Sequence, residues 1–107
     1  VIVYTKDFTN WSTVEFTTAS RNNYYDSVQQ IKYLNGFYVV MVYNSYSSIN
    51  SVYYSNSLSS TFTKISSVTS SSGANVEFNY YDGTWVFITC NTWWTIYSGN
   101  SLSSLTK

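Results

Sequence analysis

YLNGFYVVMVYN, residues 33–44, returns as YYDGTWVFITCN at residues 80–91, with Gly83 standing 47 residues after Gly36 and no gap in between. Asn-Gly and Asp-Gly accept the two positive φ angles of a type I′ turn, so each pair flanked by apolar β-formers marks a tight hairpin. Ile31 to Leu34 form one arm of the first hairpin and Phe37 to Tyr43 the other. Along the second arm Phe37, Val39, Met41 and Tyr43 point one way, and Tyr38, Val40 and Val42 the other. Its counterpart sets Val86 and Ile88 against Trp85 and Phe87. A strand that is apolar on both faces needs cover on both sides, which suits a sheet held between similar sheets.

A second phrase recurs around the first. VYYSNSLSS at Val52–Ser60 reappears as IYSGNSLSS at Ile96–Ser104, and IVYTKDFTNWSTV at Ile2–Val14 is a third copy if one gap is allowed. Tyr4 then meets Tyr54, Phe8 meets Leu58, and Trp11 meets Phe62; the last copy needs one gap to bring Leu105 onto Phe62. Each copy reads as a hairpin whose polar corner is built from Ser and Asn, whose side chains bond the local backbone. A Trp, Phe or Leu then plugs the return strand into the core. Periods of about 40–50 residues indicate propeller blades or arrays. The expected fold is all-β, with β-propeller-like four-stranded antiparallel blade repeats: an outer hairpin over residues 1–14, a blade over 31–65 and a blade over 76–107, with a β-sandwich as the alternative. Thr17 to Gln30 and Ser66 to Ala74 are expected to be connections, and no helix is expected.

YTKDFTNW, with Thr5, Asp7 and Trp11, resembles the Asp box of sialidase-type propellers, and YLNGFYVV is similar to the preceding inner hairpin of such blades. The resemblance implies that Thr5, Asp7 and Trp11 form a structural corner and that Asp7 is not a catalyst. The later copies carry Ser57 and Ser101 in place of the Asp. Two and a half blades do not close a ring, so the pattern implies closure by oligomerisation or a piece of a longer propeller, for which a first residue other than Met is no obstacle.

Composition narrows function. Of 107 residues 9% are charged, against about 25% in an average soluble protein, while 21% are aromatic and the formal net charge is zero. Lys6, Arg21, Lys32, Lys64 and Lys107 are scattered, so neither nucleic acid nor an anionic membrane is an expected partner. The strongly apolar run Phe37 to Tyr43 is far short of the roughly 20 residues of a membrane span, and no charged-then-apolar leader is recognised. This polar, uncharged, Tyr- and Ser-rich composition is that expected of an extracellular or virion-surface protein. Cys90 is the sole cysteine and reads as a buried spare thiol at a strand end, with an intermolecular bridge or a reactive thiol as the alternative.

The chain has no histidine, the usual general base of acyl transfer and the commonest zinc ligand. Asp7, Glu15, Asp26, Glu77 and Asp82 lack the paired spacing of a glycosidase, and Asp82 belongs to its turn. Sialidase chemistry needs an arginine cluster, and Arg21 stands alone. No enzyme, cofactor or metal is implied. A binding module is the expectation, since Tyr or Trp beside Asn or Ser complements both the apolar and the hydroxyl faces of an uncharged sugar. Tyr46 with Asn44, and Trp93 and Trp94 with Asn91, are the candidate ligand residues. For Trp94 and Tyr46, packing in the core or between blades is the favoured reading over a ligand platform, and the rival function is an assembly subunit that meets copies of itself. Asn10-Trp11-Ser12 also fits a glycosylation acceptor.

Overall fold

Both tight turns form with the backbone their sequences demand. Asn35 and Gly36 have φ of 48° and 81°, and Asp82 and Gly83 have 50° and 80°, the pair of left-handed conformations that a type I′ hairpin requires. A computed structural model describes residues 2–16, 26–71, 76–90 and 93–107. Among them every regular element is a β-strand: β1 (Ile2–Thr5), β2 (Trp11–Val14), β3 (Asp26–Leu34), β4 (Phe37–Asn44), β5 (Ile49–Ser55), β6 (Thr63–Ser71), β7 (Val76–Tyr81), β8 (Thr84–Cys90) and β9 (Trp94–Gly99). They make three antiparallel sheets in chain order, β1-β2, β3-β4-β5-β6 and β7-β8-β9, none closed into a barrel.

The middle sheet is covered on both faces. Val39, Met41 and Val52 join Phe78, Trp85 and Phe87 in one buried cluster between the second and third sheets. Val40, Val42 and Tyr53 form a second cluster on the opposite face, against Ile2, Phe16 and Phe62. The alternation along β4 is therefore used in full, odd positions toward the third sheet and even positions toward the hairpin. Phe37 meets Trp85 edge-on at 6.1 Å between centroids, and Phe16 closes over Tyr53 and Phe62 at 5.1 and 5.4 Å.

Three expectations need correction. Asp26–Gln30 is strand rather than connection, because β4 is long enough to pair Asp26 with Asn44, with a bulge between Val28 and Gln30. Ser66–Ser71 is also strand: Val68 is fully buried, and the Ser70 hydroxyl donates to the Cys90 carbonyl at 3.0 Å. The irregularity in β6 lies where Ser66 and Ser67 are exposed and the β5 register shifts between Ser51 and Tyr53. Trp11 does not plug a core: it is 57% exposed, whereas Phe62 and Leu105 are packed. Residues 17–25 and 72–75 of the expected connections lie outside the described residues.

Register unites the three corners. Tyr4 pairs Ser12, Tyr54 pairs Thr63, and Ser98 bridges Thr106, the positions that the three copies of the second phrase bring into correspondence. The first and last corners are each one residue shorter than the middle one, and at Gly99 in the last an added Cβ would lie 2.9 Å from the Ser104 carbonyl oxygen.

Candidate functional site

The β4–β5 turn is shaped by Asn44. Its Oδ1 accepts the Tyr46 and Ser47 amides at 2.9 and 3.1 Å, and its carbonyl accepts the Ser48 amide at 2.8 Å. The side chain thus serves the turn, and Tyr46 is carried outward at 45% exposure. Trp93 lies between β8 and β9, 47 residues on when counted from the preceding strand, and is 80% exposed; by register with the following strand it stands level with Ile49. Trp94 opens β9 opposite Cys90 and is 73% exposed. Of the sequence-derived set, the structure sets Tyr46 in the β4–β5 turn, Trp93 just before β9 and Trp94 on a sheet face, while Asn91 lies outside the described residues. The Phe37–Trp85 and Ser70–Cys90 contacts align the second and third sheets end to end, so the turns bearing Tyr46 and Trp93 share the end opposite the two tight hairpins.

The corner at Thr5, Asp7 and Trp11 is a closed hydrogen-bond device. Thr5 Oγ1 donates to the Asn10 carbonyl at 2.6 Å and accepts the Asp7 and Phe8 amides. Asp7 Oδ1 accepts the amides of Thr9 and Asn10 at 2.9 and 2.8 Å, and Oδ2 accepts Asn10 Nδ2 at 3.0 Å. The Asn10 and Thr9 amides, with smaller help from the Asn10 and Thr5 side chains, hold the Asp7 carboxyl well below the usual carboxylate range. A group so firmly ionised neither gives nor takes a proton near neutral pH. Ser57 and Ser101 repeat the first of these bonds with a hydroxyl: Ser57 Oγ accepts the Ser59 amide at 3.2 Å and Ser101 Oγ the Ser103 amide at 3.3 Å.

A groove of about 300 Å³ runs beside the first corner, lined by Tyr4, Lys6, Tyr33, Tyr38, Asn56 and Ser57 among others. The Tyr33 and Tyr38 rings are 4.7 Å apart at 54°, matching their counterparts Tyr80 and Trp85 at 4.8 Å and 60°. Phe37 covers the second pair, and the two-stranded hairpin has no strand to lay across the first.

Sequence reasoning missed Lys32. Its Nζ donates to the Phe78 carbonyl at 2.8 Å and sits 5.1 Å from the Phe78 ring centroid, a charged tie between the second and third sheets. Among the described residues no group of three or more Asp, Glu or Cys side chains could hold a metal ion, and no helix is long and apolar enough to cross a membrane. Compared with known proteins, the chain matches no family model, no curated protein and no solved structure.

Proposed function

We propose that the chain is a non-enzymatic recognition module of blade-repeat, propeller-like construction, working at an extracellular or virion surface, that binds an uncharged glycan through the turns bearing Tyr46 and Trp93. One observation carries this: an exposed aromatic side chain stands in the connection after the second strand of each of two related hairpins, at the same end of the stacked sheets. Repetition of an exposed aromatic at a fixed offset is unexpected from packing, since both rings lie outside the buried clusters. An aromatic face beside hydroxyl and amide groups complements a neutral sugar without charge. In favour of the propeller-like reading stand the shared registers of the three corners and the middle sheet's cover on both faces. Against catalysis stand the absence of histidine and the commitment of Asp7 to its corner.

The test is a neutral-glycan array followed by calorimetry on the best hit. Trp93→Ala should weaken binding by roughly 30-fold, the loss of an aromatic anchor worth about 2 kcal/mol. Tyr46→Ala should weaken it less, and Tyr38→Ala in the groove should leave it unchanged. A folded protein that ignores every glycan, or binding untouched by Trp93→Ala, would remove the proposal.

A further inference from the structure

The three corner copies occupy graded positions in the stack. Ile2, Val52 and Ile96 correspond in sequence, and Ile2 and Val52 each point toward the sheet that follows their own. Ile2 packs on the cluster containing Tyr53, and Val52 lies in the cluster on which Tyr97 packs. Ile96 is 57% exposed. The reverse faces follow the same rule. Tyr53 and Phe62 pack toward the hairpin, and Tyr97, Leu102 and Leu105 pack toward the middle sheet. Their counterparts Val3, Phe8 and Trp11 are 55%, 85% and 57% exposed.

Each internal junction thus sets the Ile2/Val52 type of face against the Tyr53/Tyr97 type, and one unmatched face of each type stands at either end. Trp94 widens the first of these, being the same-face neighbour of Ile96 on β9. We infer that the Trp94–Ile96 face of the third sheet docks the Val3–Phe8–Trp11 face of a second copy of this chain, continuing the stacking already present twice within the molecule. The occupant is a second copy because its hairpin carries the very residue positions that the internal junctions use. Two different surfaces meet, so the contact is head-to-tail and yields rings or open chains rather than a two-fold dimer. It does not use Tyr46 or Trp93, so glycan binding and assembly can fail independently.

Sedimentation equilibrium on the chain, at concentrations up to about 1 mM, reads the outcome. The wild-type mass should climb to at least twice the 12.3 kDa monomer. Ile96→Lys and Trp11→Lys, both at exposed positions, should each stay monomeric with an unchanged far-ultraviolet spectrum; Trp94→Lys and Val3→Lys replace either variant that loses that spectrum. An equimolar mixture of a tail variant and a head variant retains one intact surface of each kind. It should form a complex of twice the monomer mass and nothing larger. A wild-type chain that stays monomeric throughout, a single variant that assembles like wild type, or a mixture that stays monomeric would each overturn the inference, the last by pointing to a self-complementary contact.

Discussion

Replacing Thr89 by Val should stabilise the protein. Thr89 is 1% exposed, on the face of β8 that carries Trp85 and Phe87 into the core, with Val76 and Thr95 opposite it on the flanking strands. Its Oγ1 is buried with no hydrogen-bond partner among the described residues, and leaving a buried hydroxyl unsatisfied costs about 1–3 kcal/mol. The middle sheet has Val42 at the corresponding position, 2% exposed, so the stacked sheets accommodate a methyl there. Val keeps the β-branch that suits a strand and removes the unsatisfied group, for an expected gain of about 1–2 kcal/mol. At this chain length that raises Tm by about 4–8 °C. Thr89→Ser is the control: it keeps the hydroxyl and deletes the buried methyl, for a loss of about 1 kcal/mol. Urea unfolding followed by Trp fluorescence measures both, with an unchanged slope certifying that the unfolding transition is comparable. A Val variant that is neutral or less stable at unchanged slope would refute the reasoning.

Further consequences concern the sheet junctions and corners. Lys32→Ala removes both the bond to the Phe78 carbonyl and the cation over its ring, and should destabilise by about 1–2 kcal/mol in the same urea assay; Lys32→Arg should recover part of that loss. Asp7 has its carboxyl held below its unfolded value of about 3.9, so its contribution is complete above that value and is lost as pH falls toward the much lower folded value. Asp7→Asn should therefore flatten the fall in stability below about pH 4 relative to wild type, as read by thermal melts across pH 2–7. Gly99→Ser copies Ser55 of the middle corner but drives a Cβ against the Ser104 carbonyl; it should destabilise by about 1–3 kcal/mol, while Gly99→Ala shows whether the Cβ alone is responsible.

The two tight hairpins were legible because Asn-Gly and Asp-Gly leave the backbone few alternatives, and the double-faced β4 because seven apolar residues in a row exclude a solvent-backed sheet. Asp26–Gln30 was not legible. DSVQQ carries no clear apolar alternation, and it becomes strand because β4 extends far enough to pair with it. Ser66–Ser71 misled for a related reason: a serine run reads as loop, yet Val68 and Ser70 are buried by the third sheet. Trp11 shows the limit of reading burial from a repeat. Its counterparts are packed because another sheet lies beyond them, a matter of position in the stack rather than of residue type. At the candidate site, Tyr46 and Trp94 read more readily as packing residues and are instead exposed, whereas Asn44 looked like a ligand group and proves to be the cap of its own turn. Nothing in the local sequence marks Lys32 as a junction residue, since its partner lies 46 residues away.

The most direct test of the stacked-sheet account is a methyl- and aromatic-labelled NOE experiment on the chain. It should link Met41 to Val76 and Phe37 to Trp85 on one face of the middle sheet, and Phe16 to Tyr53 and Phe62 on the other. Cross-peaks from Ile2 or Phe16 to Trp85 or Phe87 would put the hairpin and the third sheet on the same face and contradict the account.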